Sequence, residues 1–176
     1  MLTGRERGFT LVEVMIAMFV LGFGLLALAR VLARASSAEL EAIQRDQAMA
    51  IAQDFVDRVN LNRRNATAYV GDYVPSGPVE DCTDAAFNTQ ALRDQCALRN
   101  LLRGASTYEG TKTIGAPFAA RACVTSPAAN VYVIAVAWQG VVPTAAPDSA
   151  CGEGEFDQEA NRRVYSTVVQ IATLGA

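Results

Sequence analysis

Apolar residues run without a charge from Val14 to Ala29, and they follow Gly8-Phe9-Thr10-Leu11-Val12-Glu13, where a lone carboxylate stands among hydrophobic side chains. As a helix, Phe9 to Ala29 extends about 31 Å at ~1.5 Å per residue, enough for a bilayer core of ~30 Å. A carboxylate at that depth costs a few kcal/mol on insertion scales and is retained for a function or a partner. Helical spacing continues past Ala29 through Leu32, Ala35, Ala38 and Ala42, now with Arg30 and Arg34. Farther on, Ala48, Ile51, Ala52, Phe55 and Val59 form an apolar stripe, with Arg45, Asp46, Asp54, Asp57 and Arg58 on other faces. That stripe predicts a partner surface, a sheet. Arg58, Arg63 and Arg64 suit the negative end of a helix dipole, and Gly71 and Pro75 follow. The helix is therefore expected to end near Asn62, at a length of about 80 Å.

Between Gly71 and Gly115 the pattern is mixed, with breakers at Pro75, Gly77 and Pro78 and a short helix expected over Ala91 to Leu102. Strands dominate the end of the chain. Ala119 to Thr125, Val131 to Trp138 and Arg163 to Thr173 are the candidates, the last reading Val-Tyr-Ser-Thr-Val-Val-Gln-Ile-Ala-Thr from Val164. Both faces of Val131 to Trp138 are apolar, which predicts a central strand buried on both sides of an antiparallel sheet. Trp138 is expected to pack in the core or at the sheet end. Arg162-Arg163 reads as a charged strand edge that discourages aggregation.

Composition narrows the chemistry. The chain has 176 residues, room for one soluble domain beyond the apolar segment, and a net charge of −3, so no basic footprint points to nucleic acid. Histidine is absent, which removes histidine-based triads and the commonest zinc ligand. The acidic group Asp148, Glu153, Glu155, Asp157 and Glu159 lacks the spacing of a calcium loop and reads as a solvated loop. No catalytic residue, metal site or cofactor is expected. Cys82, Cys96, Cys123 and Cys151 lie far apart with no C-x-x-C pair, which favours disulfides in an export compartment over a metal or redox site. Three pairings are open; Cys82 to Cys96 with Cys123 to Cys151 closes the two shortest non-overlapping loops and is the expected one.

Arg5-Glu6-Arg7-Gly8, then Phe9-Thr10-Leu11-Val12-Glu13 and the unbroken apolar segment, resemble the class III leader and N-terminal helix of type IV pilins and pseudopilins. The resemblance implies an α+β pilin fold, with a long, half transmembrane N-terminal helix packed on a small antiparallel sheet. It implies cleavage by a prepilin peptidase between Gly8 and Phe9, N-methylation of Phe9, and docking of Glu13 to the Phe9 amine of a neighbouring subunit. Buried opposite charges are tolerable together and costly apart, so such a pair acts mainly as a register device. Loss of the leader removes two arginines and one glutamate, shifting the charge from −3 to −4. Residues 1–8 are then the leader, 9–29 the membrane or fibre-core half of the helix, and 30–62 its amphipathic half. Residues 63–118 form the connection to the sheet, and 119–176 the sheet with its disulfide-closed loop.

Val131 to Trp138, Gly140, a loop containing Cys151, Arg162-Arg163-Val164-Tyr165-Ser166-Thr167-Val168, and Gly22-Phe23-Gly24-Leu25-Leu26-Ala27-Leu28-Ala29 look like minor pilins of the PilV class. Many major pilins carry a proline where this chain has Arg30, a departure that disfavours a bulk fibre subunit. The expected protein is a non-enzymatic inner-membrane chain with a periplasmic head, incorporated near the pilus tip. Its expected partners are other minor pilins, the major pilin, the prepilin peptidase, the inner-membrane assembly platform and a tip adhesin, with no nucleic acid. Two alternatives stand beside it. One is a minor pseudopilin of a type II secretion system, whose leader looks the same. The other is a secreted binding domain cut after Ala27-Leu28-Ala29, although the apolar run exceeds the ~7 to 15 residues of a signal core.

Overall fold

The computed structural model describes residues 8–172, so Arg5, Glu6 and Arg7 of the expected leader lie outside the described residues. A single helix, α1 (Leu11–Leu61), opens the chain and runs through two compact units, Met1–Glu39 and Leu40–Ala176. In the first unit α1 is built from alanine, leucine, methionine and other helix-compatible residues without a proline. Its apolar side chains stay outside any core: Leu11, Ile16, Phe19, Leu25 and Leu32 are all exposed. It is the one described helix long and apolar enough to cross a membrane, and none of its most apolar window is buried within the chain.

The second unit is an α+β head. Four antiparallel strands, β1 (Gly71–Tyr73), β4 (Arg121–Ala128), β5 (Val131–Gln139) and β6 (Arg162–Gln170), lie in the order β1-β4-β5-β6. Along β5, Tyr132, Ile134, Val136 and Trp138 face the stripe of α1, where Ala48, Ile51, Ala52, Phe55 and Val59 are all buried. The helical period on one side and the strand period on the other thus close the main core. Phe55 is its centre, in edge-to-face contact with Tyr69 and Tyr73 at ring distances of 5.6 Å each. The opposite face of β5 is also covered. Ala135 and Ala137 join Cys123 of β4, Cys151 and Phe156 in a second, smaller core.

β1 comes from the connecting stretch, which the breakers Pro75, Gly77 and Pro78 had marked as irregular. Three residues suffice because the strand is anchored at both ends. Before it, a 3₁₀ segment (Arg63–Tyr69) buries Ala66 and Tyr69, and at its end the hydroxyl of its own Tyr73 donates to the Tyr69 carbonyl at 2.6 Å. Helix α2 (Gln90–Leu102) begins at Thr89, whose side chain accepts from the Leu92 N–H at 3.2 Å. It ends on Gly104 (φ 82°), where the Gly104 N–H reaches the Leu101 carbonyl and the Ala105 N–H the Asn100 carbonyl, a Schellman cap that needs the left-handed backbone glycine adopts freely. A two-residue hairpin, β2 (Tyr108–Glu109) with β3 (Lys112–Thr113), follows. The Cys82–Cys96 disulfide ties the connection to α2, and Glu80 reinforces it through Arg99 at 3.0 Å and Arg103 at 2.8 Å.

The second disulfide, Cys123–Cys151, joins β4 to the long β5–β6 connection. Arg162 departs from the solvated-edge reading. It is buried, and its guanidinium donates to the carbonyls of Pro147, Ser149 and Cys151 while pairing with Glu159 at 2.5 Å. A loop without a ladder leaves carbonyls to satisfy, and a planar five-donor group at the start of β6 supplies the donors. Within the acidic group, Glu155 pairs with Arg121 at 2.8 Å, and Arg121 lies over the Phe156 ring at 5.0 Å.

Two outcomes test this packing. Phe55→Ala is expected to destabilise the head by about 3–5 kcal/mol, the usual range for a buried phenylalanine. Urea unfolding of the full chain in detergent, followed by fluorescence of its single tryptophan, Trp138, reads the loss. For Glu80, Arg99 and Arg103 hold the carboxyl down to about 2. Its folded value lies below the unfolded one of about 4.3, so its stabilisation is complete above that pH and disappears as pH falls toward 2. Glu80→Gln should therefore flatten the fall in stability between about pH 4.5 and 2, and an unaltered slope would separate these pairs from the acid response.

Candidate functional site

Thr10, Leu11, Val12 and Glu13 build the first turn of α1. The Glu13 N–H donates to the Thr10 hydroxyl at 3.3 Å and the Thr10 carbonyl at 3.1 Å, making Thr10 the N-cap. Thr10-x-x-Glu13 is the pattern of a capping box, and Phe9 and Val14 occupy the positions of a hydrophobic staple. Glu13 also stands where the helix dipole favours an anion. These local roles explain how the helix starts immediately after Phe9. Beyond the dipole the carboxylate has no local partner: among the described residues the Glu13 side chain makes neither a hydrogen bond nor an ion pair, and it is exposed. Phe9 is 81% exposed and Gly8 is exposed beside it, so the bond between them lies open to an enzyme. Gly22 and Gly24 have nothing within 4 Å of an added Cβ, so no contact among the described residues requires their smallness.

Asp94 offers the internal comparison. It falls in the stripe Ala91, Asp94, Leu98, Leu102 of α2 and is 3% exposed, a carboxylate set among apolar neighbours as Glu13 is. Its partners are all inside the head. The Tyr69 hydroxyl donates to it at 2.6 Å, Gln90 at 2.8 Å and Arg58 at 3.3 Å, and Arg58 is shared with Asp54 at 2.6 Å. Burial and the bond to Asp94 push the Tyr69 phenol up to about 12. Sequence pattern contained the signal, an acid at i+3 on an apolar stripe, but not the identity of its partners. Glu41 was equally unforeseen. It accepts from the N–H groups of Val141 at 2.7 Å and Val142 at 3.2 Å, and meets Arg163 at 3.4 Å.

Gly8, Phe9 and Glu13 thus belong to the first unit, and the four cysteines close two disulfides in the second. Among the described residues no group of three acidic or thiol side chains could hold a metal ion. What the first unit offers is an exposed carboxylate with no partner among the described residues, beside a continuous apolar surface.

Residues 3–29 match the family model described as the prokaryotic N-terminal methylation motif, and residues 31–101 match that described as type IV pilin Tt1218. No curated protein and no solved structure matches the chain. A long apolar N-terminal helix, whose second half packs on a small antiparallel sheet, is the α+β fold of the type IV pilins. Both matches point to the type IV pilins, and the methylation motif with the long apolar N-terminal helix fits a membrane-anchored pilin.

Proposed function

We propose that this chain is a minor pilin of a type IV pilus, processed by a prepilin peptidase after Gly8 and methylated on the Phe9 amine. The observation that carries the reading is the contrast between its two acids in apolar settings. Asp94 finds three donors within the head, whereas Glu13 finds none among the described residues. A retained carboxylate without an internal partner calls for an external one, and cleavage after Gly8 creates a cation four residues away on the same turn. That cation faces its own Glu13 only across the cap, so in an assembly each amine is available to the acid of a neighbour.

The remaining assignments follow from this. The apolar half of α1 is the anchor in the inner membrane and the core segment in the fibre, and the disulfide-bearing head is periplasmic. Arg30, in a helix without proline, and the β5–β6 pattern support a minor subunit of the PilV class over a bulk one. The chain acts with other minor pilins, the major pilin, the assembly platform and a tip adhesin in priming the fibre, and catalyses nothing itself.

Intact mass and amino-terminal sequencing of the exported protein are expected to give a chain beginning at methylated Phe9. A start at Arg30 would replace this reading with a secreted domain. The role of Glu13 is tested by Glu13→Gln, because glutamine serves equally at the third position of a capping box and leaves the helix start intact. Removing one side of a buried pair costs about 3–5 kcal/mol. Cleavage and membrane level should stay normal, while crosslinks to other pilins and the count of surface fibres should collapse. Unchanged crosslinks and fibre counts would take the docking role away from Glu13.

A further inference from the structure

The sheet of the head has two edges of different character. β1 is three residues long, begins on a glycine and carries Asp72, a short and charged edge. β6 is nine residues long, pairs only with β5, and has no charge, proline or bulge from Val164 to Gln170. Its register fixes which backbone groups are free. The Gly140 N–H bonds the Asn161 carbonyl at one end and the Ile171 N–H bonds the Asn130 carbonyl at the other. Hydrogen-bonded pairs alternate along an antiparallel ladder, so Arg163, Tyr165, Thr167 and Val169 aim their backbone groups at β5. Val164, Ser166, Val168 and Gln170 aim theirs outward, and no described residue takes them up. Long, uncharged edges of this kind are blunted in proteins that do not use them.

A groove of about 700 Å³ runs beside the Arg163 end of this edge, between α1 and β6, lined by Arg45, Asp46, Met49, Trp138 and Tyr165 among others. Trp138 is 3% exposed, and its indole N–H has no partner among the described residues. On the other face of the sheet Val168 is 64% exposed. The geometry points to β6 as a docking edge for an extended segment of a different polypeptide, added antiparallel as a fifth strand. That segment is uncharged along its ladder, small or β-branched over Val168, and carries an acceptor side chain on the groove side. Backbone pairing supplies the affinity and the groove the selection.

A second copy of this chain is the disfavoured occupant. Antiparallel pairing of β6 with another β6 generates a twofold axis perpendicular to the sheet, which reverses every element lying along it, including the Ala48–Val59 stretch of α1. Two chains anchored through the N-terminal ends of α1 in one membrane keep that direction in common. The exclusion rests on the pilin reading proposed above.

The test places a benzophenone amino acid in the full chain, in cells with their other pilus proteins, at Ser166, Val168 or Gln170, with Leu25 of the anchor as the reference position. Expected are adducts on one segment of one other polypeptide, with attachment points two residues apart in reverse order. Ser166→Pro removes an outward N–H and no bond to β5, so it should keep both disulfides and the membrane level while lowering the adduct from Gln170 about fivefold. Adducts on a second copy, scattered attachment points, an unchanged yield in Ser166→Pro, or adducts at Leu25 with none along β6 would each overturn the docking edge alone. Absence of adducts at Leu25 as well would overturn the pilin reading with it.

Discussion

The head depends on how closely a sheet can approach a helix that continues beyond it. Ala48 and Ala52 are fully buried and small, and they let β5 come near enough for Ile134 and Val136 to be sealed against α1. Phe55 then fills the space one turn on, with Tyr69 and Tyr73 against its edges. Burial of this kind contributes about 25 cal/mol for each Å² of apolar surface withdrawn from water. The other elements are ordered by that contact. The 3₁₀ segment and β1 carry the two tyrosines inward, α2 closes over them, and the disulfides fasten the stretches with no ladder of their own. The N-terminal half of α1 has no such partner among the described residues, which is why the two units differ so sharply in what they bury.

The two acids in apolar stripes show what the same physical rule does in different surroundings. Asp94 is tolerated because a phenol, an amide and a guanidinium converge on it, and each loses little by being held there. Replacing such partners with apolar groups is often neutral, whereas orphaning one of them is expensive, so the cluster specifies the seating of α2 more than it adds stability. Glu13 has the helix dipole and its cap, both of which serve an anion at a helix start whatever lies outside. A carboxylate is therefore a lock within the head, and at the start of α1 it has no partner among the described residues.

Much of this was legible in sequence because it rests on periodicity. The stripe from Ala48 to Val59 and the two-faced apolar run of β5 are repeated signals, and the packing of helix on antiparallel sheet follows from them. The two shortest non-overlapping loops are also the ones the disulfides close. What sequence hid has short or singular signals. β1 is three residues, held by its pairing with β4 and by Tyr69 before it and Tyr73 at its end. Arg162 looked like edge protection because its type is usually solvated, and only the course of the loop shows three carbonyls converging on it. Glu41 lies on a helix face that reads as polar, and its use depends on loop amides about a hundred positions later.

The β5–β6 connection is held almost wholly by its backbone. Arg162 takes the carbonyls of Pro147, Ser149 and Cys151, Arg163 that of Val142, Glu41 the amides of Val141 and Val142, and the Thr144 N–H meets the Ala160 carbonyl at 2.7 Å. The side chains that add to this hold are few: Thr144, Ser149, Cys151, Glu155, Phe156 and Glu159, beside Gly152, whose added Cβ would press on Arg121 and Phe156 at 2.9 Å. A loop gripped through groups common to every residue can change its outward chemistry without changing its path. Mutation there meets little resistance from folding, so this stretch is the part of the head where new surface specificities can arise and disappear fastest.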